Sequence, residues 1–263
     1  MSDRLPSPDA TIAVITELRR RFVRMFVVVI AFSGVGWYFA GDLLRILQVP
    51  FVSLMGTQRA LYYTAPAEAF MANMIVGLVF GVFAAAPYLA WQLWRTFAPV
   101  FHRRKPWRFI CYAMLTAVTF VVGALFGYFY VLPPVLTFLV EGFEQRAQMD
   151  AFVRVRPFIN FSLKLLLAFG LSFELPVMMF VLGRLGLVSA RTLWRGFRYA
   201  LVLILVAAAI FTPPDVVSQI MLALPLLILY LLGVGAVALT GKRNAKAKTP
   251  EETETEQEQK TPS

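Results

Sequence analysis

Apolar residues fall along this chain in long unbroken blocks. Six stand out, at approximately 22–41, 69–94, 109–132, 158–183, 197–211 and 216–240. A soluble fold interrupts its apolar stretches with polar faces at a period of 3.6 or 2. These blocks instead approach the roughly 20 residues that a helix needs to cross a bilayer. The pattern predicts an all-α, polytopic membrane protein with six transmembrane helices, the last two of them short. LVLILVAAAIF, after Tyr199, is brief, and Thr212-Pro213-Pro214-Asp215 separates it from the final block. Two successive prolines remove two backbone donors and favour non-helical backbone. Two short helices joined by a tight turn are therefore preferred to one kinked helix, and a short helix pinches the bilayer locally. The expected organisation is a polar N-terminal segment over 1–21, a six-helix domain over 22–240 and a tail over 241–263. The tail ends in TPEETETEQEQKTPS, acidic and without apolar periodicity, and is expected to be disordered.

Charge adds an orientation. Arg19, Arg20, Arg21 and Arg24 precede the first block; Arg95, Arg103, Arg104, Lys105 and Arg108 lie between the second and third. Arg184, Arg191, Arg195 and Arg198 lie between the fourth and fifth, and Lys242, Arg243, Lys246 and Lys248 follow the sixth. The alternate connections balance their few cations with Asp42, Glu68, Glu141, Glu144 and Asp150. This bias predicts that both termini are cytoplasmic. It also accounts for the net charge of +10 without nucleic acid, because the cations are dispersed among membrane ends and not gathered on one module. The opening MSDRLPSPDATIAVITELRRRF has no early apolar core or small-residue cleavage site, so no cleavable leader is expected. Cys111 is the only cysteine and His102 the only histidine, which excludes an internal disulfide and a paired-histidine metal site. No phosphate-cradling Gly-rich loop is present, and no cofactor is expected.

A few polar residues break the apolar pattern. Glu174 interrupts FGLSFELP, where a charge costs roughly 2.5–3.5 kcal/mol at a helix centre. Such a carboxyl faces water, finds a partner or carries a proton, and intramembrane ionisable residues are functional candidates. Pro176 frees a backbone carbonyl nearby. Lys164 lies near the end of the same block, where its stem can snorkel to the headgroups. Asp215 opens the last helix and reads as its N-cap, with Thr212 and Gln219 beside it as a polar notch. Glu17 precedes three arginines in TELRRRF and either pairs with Arg21 one helical turn on or offers a site for a cationic ligand at the membrane surface. A proton-coupled small-solute transporter with Glu174 as the titrating group is the alternative reading. Many such carriers show internal repeats, and none is evident between the first three blocks and the last three. An intramembrane hydrolase would need a nucleophile beside an activating base, and the blocks contain no such histidine.

TELRRRF, APYLAWQLWRTFAPVF (86–101), FGLSFELPV (169–177) and TPPDVVSQIMLALP (212–225) together resemble the TatC family, in order and in spacing, from about residue 14 to about residue 240. TatC proteins are the multispanning receptors of the twin-arginine protein translocase in the bacterial cytoplasmic (inner) membrane. The resemblance implies a non-enzymatic role: binding signal peptides with two adjacent arginines, recruiting TatB-like and TatA-like single-span partners, self-associating in a receptor complex, and exporting folded cargo on the protonmotive force. It assigns signal-peptide binding to Glu17, Arg19 and Arg21 and, in the connection after the second span, to Gln92, Trp94, Pro99, Phe101 and position 105. It assigns partner-helix docking to Glu174, Thr212 and Gln219. Structural roles are expected of Pro50, Pro176, Pro213, Pro214 and Asp215. Two positions depart from the family pattern. Val14 stands where a histidine is frequent, and Lys105 stands where a second glutamate is common, so a cation occupies a place expected to attract arginine.

Overall fold

The computed structural model describes residues 8–55, 61–97, 106–147, 153–212 and 215–258. These residues form helices and no named strand. The order is α1 (Pro8–Tyr38), α2 (Ala40–Met55), α3 (Pro66–Phe97), α4 (Pro106–Phe126), a π-helical turn (Gly127–Val131), α5 (Leu132–Ala147), α6 (Val155–Arg184), α7 (Ala190–Arg195), α8 (Phe197–Phe211) and α9 (Val216–Glu258). Among them, 5 segments are long and apolar enough to cross a membrane: Thr16–Tyr38, Pro66–Thr96, Ile110–Val140, Val155–Arg184 and Val216–Thr240. Phe197–Phe211 is a sixth, shorter apolar helix. The protein is therefore a multi-pass helical membrane protein. Only the fifth span is short: its 15 residues reach about 22 Å, against about 30 Å of hydrocarbon. The sixth, expected to be short as well, has an apolar part of 25 residues. Pro225 does not end it, and Gly233 and Gly235 leave it helical because neighbouring helices, not local propensity, hold a membrane span.

The chain divides into two compact units, Met1–Leu167 and Ala168–Ser263, with the boundary inside α6. In the first unit α1 lies along α3 on a seam of small residues. A side chain on Gly36 would meet the Gly77 carbonyl oxygen at 2.6 Å, and one on Gly77 would meet the Trp37 nitrogen at 2.9 Å. One on Gly81 would overlap Ser33, whose backbone nitrogen lies 2.6 Å from that position. Helices in lipid gain no hydrophobic term from association, so close backbone approach at small residues is what joins them. The Ser33 hydroxyl donates to the Val29 carbonyl at 2.7 Å and so carries no unmet polar group into the seam.

The connections between spans contain more helix than the apolar blocks predict. In the stretch 42–68, α2 buries Leu44, Leu47 and Phe51 on one face, together with Pro50, and Phe51 meets Phe158 edge-on at 5.5 Å. The third block, expected to stop near 132, continues to Val140 through the π-helical turn, where the Leu132 amide donates to the Gly127 carbonyl. Pro133 and Pro134 fall in the first turn of α5, where missing donors cost least.

At the end opposite the basic clusters, the chain is tied by Glu68. Its Oε2 accepts from the Thr64 amide and hydroxyl, both at 2.8 Å, and its Oε1 accepts from the Arg156 amide at 3.2 Å. Beside it, the Tyr62 amide donates to Val153 and the Val155 amide donates to Tyr62, each at 3.1 Å. One buried carboxylate thus meets orphan donors of two helix starts.

In the second unit α6 and α9 pack through another close seam: a side chain on Gly183 would lie 2.8 Å from Val237, and one on Gly233 would overlap Met179 and lie 3.3 Å from the Pro176 Cα. The Tyr230 hydroxyl donates to the Leu193 carbonyl at 2.8 Å, fixing α7 against α9. Beyond Thr240 the backbone is helical to Glu258.

Candidate functional site

Two groups of polar residues stand out. The first sits at the basic end of α1 and α3. Glu17 Oε1 accepts from Arg21 Nε at 2.9 Å, and Arg24 Nη2 lies 3.7 Å from the same oxygen. The i,i+4 pair anticipated from TELRRRF is thus formed. Arg21 also reaches across to α3, where its Nη1 donates to Thr96 Oγ1 at 3.2 Å. Thr96 donates in turn to the Gln92 carbonyl at 2.9 Å. Arg21 is consequently 17% exposed, whereas Glu17 and Arg24 are each 46% exposed. Arg19 and Arg20 are exposed on the same stretch of helix. The result is a carboxylate that faces the surroundings, held against α3 by one arginine and loosely accompanied by a second.

Gln92 and Trp94 do not line this surface. Both are buried, and Trp94 Nε1 donates to Thr116 Oγ1 of α4 at 3.0 Å while its ring lies 5.4 Å from that of Tyr112. Trp94 thus fastens α3 to α4 behind the site. The residues that α3 does present at this end include Trp91, with the Arg95 guanidinium 5.5 Å above its ring, Leu93 and Thr96. Thr96 was not singled out from the sequence. Its signal was spacing: a hydroxyl one helical turn after Gln92, level with the first arginines. Pro99, Phe101 and Lys105 lie outside the described residues.

The second group lies in the second unit. Asp215 is the N-cap of α9: its Oδ1 accepts from the Ser218 amide at 2.7 Å. Thr212, buried at the end of α8, donates to the Ala208 carbonyl at 2.9 Å. The Gln219 amide nitrogen donates to the Leu205 carbonyl at 3.0 Å, which ties α9 to α8. The three residues thus lie together at the α8–α9 turn, with the Thr212 and Gln219 side chains engaged on α8 backbone. Asp215 Oδ2 and Ser218 Oγ are buried without a hydrogen-bond partner among the described residues. Ser218 is the member the sequence did not announce, since a serine in an apolar helix start carries no pattern. Pro213 and Pro214 lie outside the described residues. Glu174 stands on α6, half-buried, two residues before Pro176, and Lys164 is exposed on the same helix. Among the described residues no group of His, Cys, Asp and Glu is arranged to hold a metal ion.

Residues 13–225 match the family model described as Sec-independent protein translocase protein (TatC). The chain belongs to the TatC family. The matched segment contains Glu17, the α3 end, Glu174 and the whole of the α8–α9 notch. Among its relatives, the TatC protein of Desulforapulum autotrophicum is 36% identical over 227 residues, covering 86% of this chain and 83% of that one. The TatC protein of Aquifex aeolicus is 34% identical over 215 residues, covering 81% of this chain and 88% of that one. A crystal structure of the twin-arginine translocase receptor TatC superposes with a TM-score of 0.80 at 32% identity, covering 87% of this chain and 99% of that one. A second crystal structure of that receptor, in DDM, gives a TM-score of 0.78 at 31% identity. TatC proteins are components of a protein translocase, so this chain works with other components of that system. The alternative of a small-solute transporter has no support in these matches.

Proposed function

We propose that this TatC-family chain is the receptor subunit of a twin-arginine translocase in a bacterial cytoplasmic membrane, with both termini on the cytoplasmic side. It binds signal peptides bearing two adjacent arginines and, with TatA-like and TatB-like single-span partners, passes folded proteins across on the protonmotive force. The observation that carries this reading is the Glu17 carboxylate, surface-facing yet anchored through Arg21 to Thr96. A carboxylate accepts a guanidinium through two parallel hydrogen bonds, a geometry a lysine ammonium does not copy.

The ion pairs suggest how binding proceeds. Arg21 is covered and tied to two helices, so it stays. Arg24 is exposed and 3.7 Å away, too far for a strong hydrogen bond, so it is the arginine that an incoming peptide displaces. Arg19 and Arg20 add positive potential that opposes a cationic ligand. One exposed pair is too weak to hold a peptide, so the apolar part of the signal must contribute. Glu174, Thr212 and Gln219 serve as polar contacts for partner helices, where interhelical hydrogen bonds average about 0.6 kcal/mol and packing supplies the rest.

The test is export of a folded reporter carrying a twin-arginine signal, in a strain that lacks its own receptor and expresses this chain. Export is expected with the twin-arginine signal and absent with a twin-lysine one. Crosslinking of the same peptide to the purified receptor should fall with Glu17→Gln and rise with Arg24→Gln. Equal crosslinking of both peptides, or no response to either substitution, overturns the assignment of Glu17.

A further inference from the structure

Between α2, α3, α4, the π-helical turn and the start of α6, the first unit is indented by an open cavity of about 340 Å³. The lining is apolar apart from the Tyr128 hydroxyl, and that hydroxyl is engaged, donating to the Ile46 carbonyl on α2 at 2.5 Å. The floor is buried: Val76, Val79, Ala124 and Leu163. The mouth is not. Ile46, Val121, Leu125 and Phe129 line the cavity and are also among the exposed apolar residues.

We infer that this cavity is a binding site for one acyl chain of a phospholipid. An apolar recess that opens towards hydrocarbon offers water no polar partners. Something apolar fills it. The mouth is continuous with the exposed apolar stripe of α4, Val118, Val121, Val122 and Leu125, which faces hydrocarbon in a span that crosses the bilayer. The occupant therefore enters from lipid. A partner helix is a rigid cylinder about 10 Å across that seats only in a straight groove. A flexible methylene chain is not so limited. Arg45 supplies a headgroup contact. It lies on α2 between Leu43 and Ile46, both of which line the cavity, and its side chain is 85% exposed, with Asp42 Oδ1 3.8 Å away. At that separation the pair leaves the guanidinium available to a phosphate. The site makes α2 a lipid-filled bracket against the spans, and it is independent of the signal-peptide reading.

The experiment uses the full chain reconstituted in nanodiscs with a phospholipid carrying a photoactivatable group midway along one acyl chain. Labelling is expected to concentrate on 43–47 and 121–129. Labelling spread evenly over all lipid-facing stripes, or a crosslink from these residues to a second protein chain in their place, overturns the proposal. Native mass spectrometry after transfer to detergent gives the second readout. One phospholipid should be retained, about tenfold less in Ala124→Phe, which fills the cavity, and several-fold less in Arg45→Gln. Undiminished retention in both variants overturns it, and Arg45→Gln changes no packed residue, so it remains informative if Ala124→Phe fails to fold.

Discussion

Substituting Gly81 by valine tests whether the small-residue seam is what holds α1. A Cβ at Gly81 would stand 2.6 Å from the Ser33 nitrogen and 2.8 Å from its Cα. Both are backbone atoms and cannot rotate away, and comfortable contact is about 3.5–4.0 Å, so α1 must withdraw by about 1 Å. Beyond the seam α1 is retained by the Arg21–Thr96 hydrogen bond and the Trp37–Phe70 ring contact at 5.2 Å, with only 6% of its apolar window buried within the molecule. Overpacking of this kind costs about 1–3 kcal/mol, which is about 5–150-fold in an equilibrium. Gly34 lies on the same helix with nothing within 4 Å of its would-be Cβ. Gly34→Val carries the same intrinsic helix penalty, so the difference between the two variants isolates the seam. Thermal unfolding of each purified variant in detergent should show Gly81→Val less stable than Gly34→Val by that amount. Crosslinking of a twin-arginine peptide near Glu17 should weaken only in Gly81→Val, since moving α1 pulls Arg21 from Thr96. Indistinguishable behaviour of the two variants would refute the reasoning.

Three further outcomes are expected. Glu174→Ala should reduce crosslinking to a single-span partner and lower export, while Glu174→Gln, which keeps a hydrogen-bonding group, should retain more of both; wild-type behaviour of Glu174→Ala removes the docking role. Asp215→Ala should destabilise the start of α9 by about 0.5–2 kcal/mol, seen as faster amide exchange at Ser218, and Asp215→Asn should lose little; unchanged exchange in Asp215→Ala would mean that the cap is not needed. Lys105→Glu should strengthen crosslinking to a twin-arginine peptide by replacing a repelling charge with an attracting one, and no gain would separate position 105 from the binding surface.

The spans were legible because hydrocarbon imposes a length and excludes charge, and that signal survives in a single sequence. Asp215 was legible as a cap because two prolines and an acid before a helix leave few other arrangements. The helices within the connections were not. Leu44, Leu47 and Phe51 sit at helical spacing, but α2 also exposes Ile46, Val49 and Val52, so its pattern lacks a clean polar face. The third span, expected to stop near 132, runs on to Val140, because the π-helical turn carries the helix through Pro133 and Pro134. At the candidate site, Glu17 and its arginines followed from one motif. The burial of Gln92 and Trp94 did not, because the partner that draws Trp94 inward, Thr116, lies 22 residues away on another helix. Glu68 was counted only as a charge: two of its donors, the Thr64 amide and hydroxyl, lie four residues before it, but the third, the Arg156 amide, comes from a segment that meets it only after folding.

The widened turn at Gly127–Val131 lets a single span change neighbours in mid-membrane. Each residue of an α-helix advances the face by about 100°, and a five-residue turn inserts such a step without exposing a bare amide to lipid. Upstream, Ala113, Ala117, Phe120 and Ala124 point inward; downstream the inward set resumes as Val131, Leu132, Val135 and Leu136. Removing one residue from this turn would restore ordinary winding and rotate everything after it, sending Val135 and Leu136 outward and detaching the Tyr128 hydroxyl from α2. A one-residue deletion here should therefore be far less tolerable than any conservative replacement.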